Sequence, residues 1–132
     1  MIEVYTDGAS SGNPGESGAG IVVIKEGVRK TYSIPLGMMS NHQAEFWAII
    51  KALEICREEH PEAIISLRSD SQAAVQAIDK EYTKNKEFRP LLEQIMELSR
   101  VFPYFFIKWI PEKQNKAADQ LAREAIRRLI DK

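Results

Sequence analysis

The chain has 132 residues, of which 44% are hydrophobic and 28% charged, and its formal net charge is −1. That composition fits one soluble globular domain, spanning residues 1–132, with a core of its own. No apolar run approaches the roughly 20 residues of a membrane-spanning helix. The near-neutral charge excludes nucleic-acid binding by overall basicity and leaves any backbone contact to local patches. Cys56 is the single cysteine and has no partner for an internal disulfide. It lies on an apolar helical stripe and reads as a packing residue. The first residues read as a strand, not as a basic region followed by an apolar core, so the expected location is cytoplasmic. Nothing in the pattern requires a dimer, so a monomer is expected.

Ile2, Val4 and Thr6 alternate with Glu3, Tyr5 and Asp7, the period of a strand. The run from Gly8 to Gly15 (GASSGNPG) is expected to stop that strand at once. Asp7 would then stand where a strand opens into a Gly-rich turn. Residues 19–25 (AGIVVIK) and 28–36 (VRKTYSIPL) flank Glu26-Gly27 and read as a hairpin whose far end Pro35 limits. Three strands joined by short turns form an antiparallel meander.

Ser40-Asn41 offers helix-capping side chains, and a helical pattern runs from His42 to about Glu59. Phe46, Ile49, Ile50, Leu53 and Cys56 make its apolar stripe, and Glu45 is placed in its first turn. Residues 63–69 form a fourth strand, ending at Asp70. A short helix over residues 71–79 turns Ala74, Val75 and Ile78 inward, and residues 80–87 form a charged loop. Phe88, Leu91, Leu92, Ile95, Leu98 and Phe102 mark a third helix. Residues 104–110 (YFFIKWI) form a fifth strand, read as core. A polar loop, residues 111–116, precedes a last helix from about Ala117, with Asp119 in its first turn. Trp47 and Trp109 read as packing residues, and Arg123, Arg127 and Arg128 as a solvated face.

This order gives an α/β fold, a mixed sheet with helices on its faces. A right-handed crossover through the first helix can bring the fourth strand parallel to the first. Asp7 and Asp70 would then lie side by side where chain direction switches, a place where open α/β sheets hold ligands. Glu45 and Asp119 fall in helices that pack on that sheet. Four carboxylates at one edge repel unless a cation neutralises them. An all-oxygen set suits Mg²⁺ or Mn²⁺, and the sequence supplies no Cys/His cluster for zinc. A carboxylate site holding two such metals can hydrolyse phosphodiesters. The residues alone therefore point to a metal-dependent hydrolase of phosphate esters.

Four blocks carry a resemblance: YTDGASSGNPG, NHQAE, SDSQAAV and NKAADQLAREA. In order and content they resemble the signature blocks of the type 1 ribonuclease H family. The resemblance implies the ribonuclease H fold, with sheet order 3-2-1-4-5. It implies endonucleolytic cleavage of the RNA strand of RNA–DNA hybrids, leaving 3′-hydroxyl and 5′-phosphate ends. It also implies two Mg²⁺ or Mn²⁺ ions held by Asp7, Glu45, Asp70 and Asp119, with Asp7 bridging both. Gly8, Ser10, Gly12 and Asn13 match the family's turn along the RNA strand. Asn41 and Gln72 match residues that read the minor groove and 2′-hydroxyls, and His42 and Asn115 match further substrate-side positions. No organic cofactor is implied.

Two departures stand out. The loop Trp109–Asn115 lacks the His that many members carry there, and Glu112 and Lys113 are its candidate substitutes. Residues 80–89 are too short for the family's long basic insertion and keep only Lys80, Lys84, Lys86 and Arg89. The expected affinity for hybrid is accordingly modest and salt-dependent. These departures motivate an alternative reading, a binding module of the same fold that cleaves little. Another nuclease of the superfold, such as a junction resolvase or an exonuclease, is disfavoured by the order of the blocks.

Overall fold

Five strands form one sheet in the order β3-β2-β1-β4-β5: β1 (Ile2–Ser10), β2 (Gly15–Lys25), β3 (Val28–Met39), β4 (Ile64–Ser69) and β5 (Tyr104–Trp109). The structure is a computed structural model that describes residues 1–130. β1 runs antiparallel to β2, and β2 to β3, whereas β4 is parallel to β1 and β5 parallel to β4. Helices α1 (Asn41–Glu59), α2 (Gln72–Lys80), α3 (Arg89–Ser99) and α4 (Lys116–Ile130) complete the chain. The crossover through α1 does bring β4 beside β1. Among the described residues no helix is long and apolar enough to cross a membrane.

The pleat of β1 assigns its two faces. Ile2 and Val4 lie beside Ile65 and Leu67 of β4 and share a core with Phe46, Ile49, Ile50, Leu53 and Cys56 of α1. Full burial of each large aliphatic side chain is worth about 1.5–3 kcal/mol. Ala9 faces the other way and packs on Ala122 and Ile126 of α4. Both helices approach the sheet where it carries glycine. A Cβ on Gly8 would collide with the Ala44 backbone of α1. A Cβ on Gly20, the residue paired with Asp7, would collide with the Ala118 carbonyl of α4.

Several boundaries differ from the sequence reading. β1 does not stop at Asp7, because Gly8, Ala9 and Ser10 stay paired with Ala19, Gly18 and Ser17 of a longer β2. Here the glycine serves close helix approach inside a strand and makes no turn. β3 continues past Pro35 to Met39. It is an edge strand, where a missing N–H is tolerated, and a register shift at Ser17/Gly18 takes up the irregularity. α1 starts at Asn41 with Ser40 as its cap, in a reciprocal capping box with Gln43 at 3.1 and 2.9 Å. Glu45 therefore lies beyond the first turn, which holds no acidic residue.

β5 is core on one face only: Phe105 and Ile107 pack against the main core, whereas the alternate residues do not. Its Tyr104 and Phe106 are 61% and 53% exposed, because α4 lies over β1, β2 and β3 and leaves this edge uncovered. Trp109 is also exposed. Arg123, Arg127 and Arg128 are exposed, as expected of a solvated face, and Arg128 Nη1 and Nη2 also donate to Ser33 Oγ and O at 3.0 and 2.6 Å. Cys56 is fully buried, as expected of a packing residue, and burial pushes its thiol up to about 12.

The close seat of α4 makes a direct prediction. Gly20→Ala is expected to destabilise the protein by about 1–3 kcal/mol, since α4 must shift to admit the methyl group. Urea unfolding measures this, and an unchanged midpoint would contradict the packing described.

Candidate active site

The parallel register of β1 and β4 pairs Thr6 with Ser69. The next residues, Asp7 still within β1 and Asp70 just past the end of β4, therefore lie side by side. From α1, Glu45 reaches the same point, and one oxygen from each of the three carboxylates lies within 4.8 Å of the others. Asp7 and Glu45 are buried, at 5% and 6% exposure, while Asp70 is half-buried. The Gly8 backbone N–H donates to Glu45 Oε1. Asn115 Nδ2 donates to Asp70 Oδ2 at 3.2 Å, and Trp109 Nε1 donates to the Asp70 carbonyl at 3.1 Å.

Asp119 occupies the first turn of α4, as the sequence indicated. It is half-buried and near enough to Asp7 to act on its titration, yet it stands outside the tight group of three. Its Oδ2 accepts from Arg123 Nε at 3.0 Å, one helical turn further on. This pair is largely exposed and contributes little stability by itself.

Crowding dominates the electrostatics. Burial pushes the Asp7 carboxyl far above the usual range, and the neighbouring Glu45, Asp70 and Asp119 carboxyls push it the same way. Burial also raises Glu45, against the opposing pull of a hydrogen bond with Asp7 and of the Gly8 N–H. Such a cluster is at rest only when it keeps a proton or gains a cation. The donors are all oxygens, which fits Mg²⁺ or Mn²⁺, and the one thiol is sealed in the core away from them.

The other residues singled out in the sequence fall into two groups. Gly12, Asn13, Asn41, His42 and Gln72 are exposed. Asn41 and Gln72 are the first residues of α1 and α2, the Asn41 N–H donates to Asn13 Oδ1 at 3.4 Å, and His42 stands edge-on to Phe88 at 6.1 Å. Gly8, Ser10 and Asn115 are committed inward. Gly8 supports α1, Ser10 Oγ faces the carbonyls of Gly12, Gly15 and Met39, and Asn115 is 2% exposed. Glu112 and Lys113 are exposed on a 3-10 helix, Glu112–Gln114. They border an open cavity of about 340 Å³ with Lys116, Asp119 and Arg123.

Two residues of the site were missed in sequence. Arg123 was legible, because an Arg four residues after an Asp on a helix shares its face. Trp109 was not, because its bond to Asp70 depends on strand pairing.

Residues 5–125 match the family described as Reverse transcriptase-like. A Ribonuclease H of Desulforamulus reducens is 34% identical over 137 residues, covering 92% of this chain and 84% of its own. The chain belongs to the type 1 ribonuclease H family. EbsB of Enterococcus faecalis is 45% identical over 130 residues, covering 97% of this chain and 96% of its own. Among solved structures of ribonucleases H, LC11-RNase H1 in complex with RNA/DNA hybrid superposes with a TM-score of 0.91 at 30% identity. That match covers 98% of this chain and 99% of the other. The sheet order expected from the resemblance is the one observed.

The raised carboxyls fix the pH dependence of this ribonuclease H when metal-free. A group whose folded pKa exceeds its unfolded value near 4 lets the folded state keep a proton that the unfolded chain has lost. Stability therefore declines as pH rises between the two values. The melting temperature in EDTA is expected to fall from about pH 5 to pH 8, and less so in Asp7→Asn. Mg²⁺ is expected to restore it, most at the alkaline end, by binding the folded state. A melting temperature in EDTA independent of pH, and indifferent to Mg²⁺, would contradict this.

Proposed function

We propose that this ribonuclease H is a metal-dependent endonuclease that hydrolyses the RNA strand of RNA–DNA hybrids, leaving 3′-hydroxyl and 5′-phosphate ends. One observation carries the reading: buried Asp7 and Glu45 converge with Asp70 in a chain of this family. The hybrid bound by the LC11 enzyme supports the substrate class.

Asp7, Glu45, Asp70 and Asp119 would hold two Mg²⁺ or Mn²⁺ ions, with Asp7, flanked by Glu45 and Asp70, shared between them. Such ions, when bound, activate water and stabilise charge on the leaving oxygen. The chain's own part is to orient. The Gly8 N–H fixes the Glu45 carboxylate, which would lie near the RNA 2′-hydroxyl. Asp70 would serve on the side of the attacking water. Asn41 and Gln72, exposed at helix starts, have amides free to meet minor-groove edges and 2′-hydroxyls, the groups that separate RNA from DNA. Asn13 and the Gly12 backbone extend that surface along the RNA strand. Exposed Lys80, Lys84, Lys86 and Arg89 offer phosphate contacts that position the duplex without reading sequence.

A second reading, a binding module with little cleavage, draws on the His-free loop between β5 and α4. Glu112 and Lys113 stand there beside Asp119, so proton transfer or product release would fall to them.

Asp7→Asn and Asp70→Asn are expected to lower cleavage of a labelled hybrid by more than about 100-fold, beyond the usual loss for an outer-shell change, while the proteins stay folded. Activity near wild type in either folded variant would overturn the assignment.

A further inference from the structure

Asn115 sits at the junction of the 3-10 helix and α4, and it is 2% exposed. An Asn directly before a helix ordinarily turns its side-chain oxygen onto an N–H of the first turn. Asn115 spends its amide elsewhere. Nδ2 donates to the Thr6 carbonyl at 2.8 Å and to Asp70 Oδ2 at 3.2 Å. Oδ1 is left buried without a hydrogen-bond partner among the described residues, a penalty that a capping role would avoid.

The three contacts of Asn115 lie on three different carboxylate-bearing segments. Thr6 immediately precedes Asp7 and is 109 residues away in sequence, and Asp70 is 45 residues away. The Asn115 carbonyl accepts the Asp119 N–H at 3.1 Å, a bond that opens α4. Asp70 is the least buried of the tight three, so like charge on Asp7 and Glu45 would favour its turning towards solvent. A neutral donor anchored on β1 opposes that motion without taking the place of a cation.

We infer that Asn115 is a positioning residue of the carboxylate cluster: it holds Asp70 against β1 so that the site accepts a divalent cation in one arrangement. The inference rests on the reading of the cluster as a cation site. It also moves Asn115 from the substrate-facing role implied by family resemblance to a role beneath the site.

Two variants of the full chain test it. Asn115→Leu keeps the shape and removes the donor. Asn115→Ser keeps a capping side chain too short to span to Asp70. Titration calorimetry of the metal-free proteins gives the Mn²⁺ dissociation constant, and hybrid cleavage gives kcat and KM. Both variants are expected to weaken Mn²⁺ binding by about 10–100-fold, with kcat partly recovered at high Mn²⁺ and KM for the hybrid unchanged. A dissociation constant within about twofold of wild type in a folded variant would overturn the inference. A raised KM with unaltered Mn²⁺ binding would overturn it in favour of direct substrate contact. A lowered melting temperature alone would overturn it in favour of a plain cap. Failure of the wild type to bind Mn²⁺ would refute the cation site itself, a result distinct from binding that the variants share.

Discussion

Repulsion among Asp7, Glu45 and Asp70 is the constraint on which the rest of the structure depends. Three carboxylates with oxygens inside 4.8 Å, two of them almost dry, cannot all be ionised without a compensating charge. Single hydrogen bonds from the Gly8 N–H to Glu45 and from Asn115 to Asp70 orient them, but the fold brings them together. Asp7 is fixed by its place in a paired strand, Asp70 by the parallel register of β4, and Glu45 by a helix seated on the opposite layer. The fold stores an unfavourable arrangement, which the binding of a divalent cation would relieve.

That storage requires backbones to come close. Gly8 admits α1 on one face of β1, and Gly20, paired with Asp7, admits α4 on the other. The sheet is pinched between two helices at the residue that carries the central carboxylate. Asn115 ties the same place from the third side. At the far end of α1 the links are of another kind: Tyr32 Oη donates to Glu59 at 2.6 Å, and Lys30 pairs with Glu59 at 3.0 Å. Those exposed polar contacts tether without building a reactive site.

Much of this was legible in the sequence. The Phe46–Cys56 stripe, the alternation in β1 and the capping side chains before α1 are local patterns, and they gave the order of elements and their partners. The limits arose where tertiary pairing overrides local preference. Gly8 looked like a turn residue, because glycine signals a turn and a close approach in the same way. Tyr104 and Phe106 looked like core, because an apolar run does not say which sheet face a later helix will cover. Asn115 was visible as a site residue through resemblance, but its inward aim depends on Thr6 and Asp70, both remote in sequence. Conversely, the Asp119–Arg123 pair was readable from spacing alone.

The central claim is that this carboxylate cluster serves hydrolysis of one nucleic-acid class. The measurement that tests it most directly is cleavage of labelled RNA–DNA hybrid with Mg²⁺, Mn²⁺ or EDTA, beside matched RNA duplex, DNA duplex and single-stranded RNA. The account predicts cuts confined to the RNA of the hybrid, abolished by EDTA, with a 5′-phosphate on the downstream fragment. Absence of cuts with either metal from folded protein, or equal cutting of the DNA duplex, would contradict it.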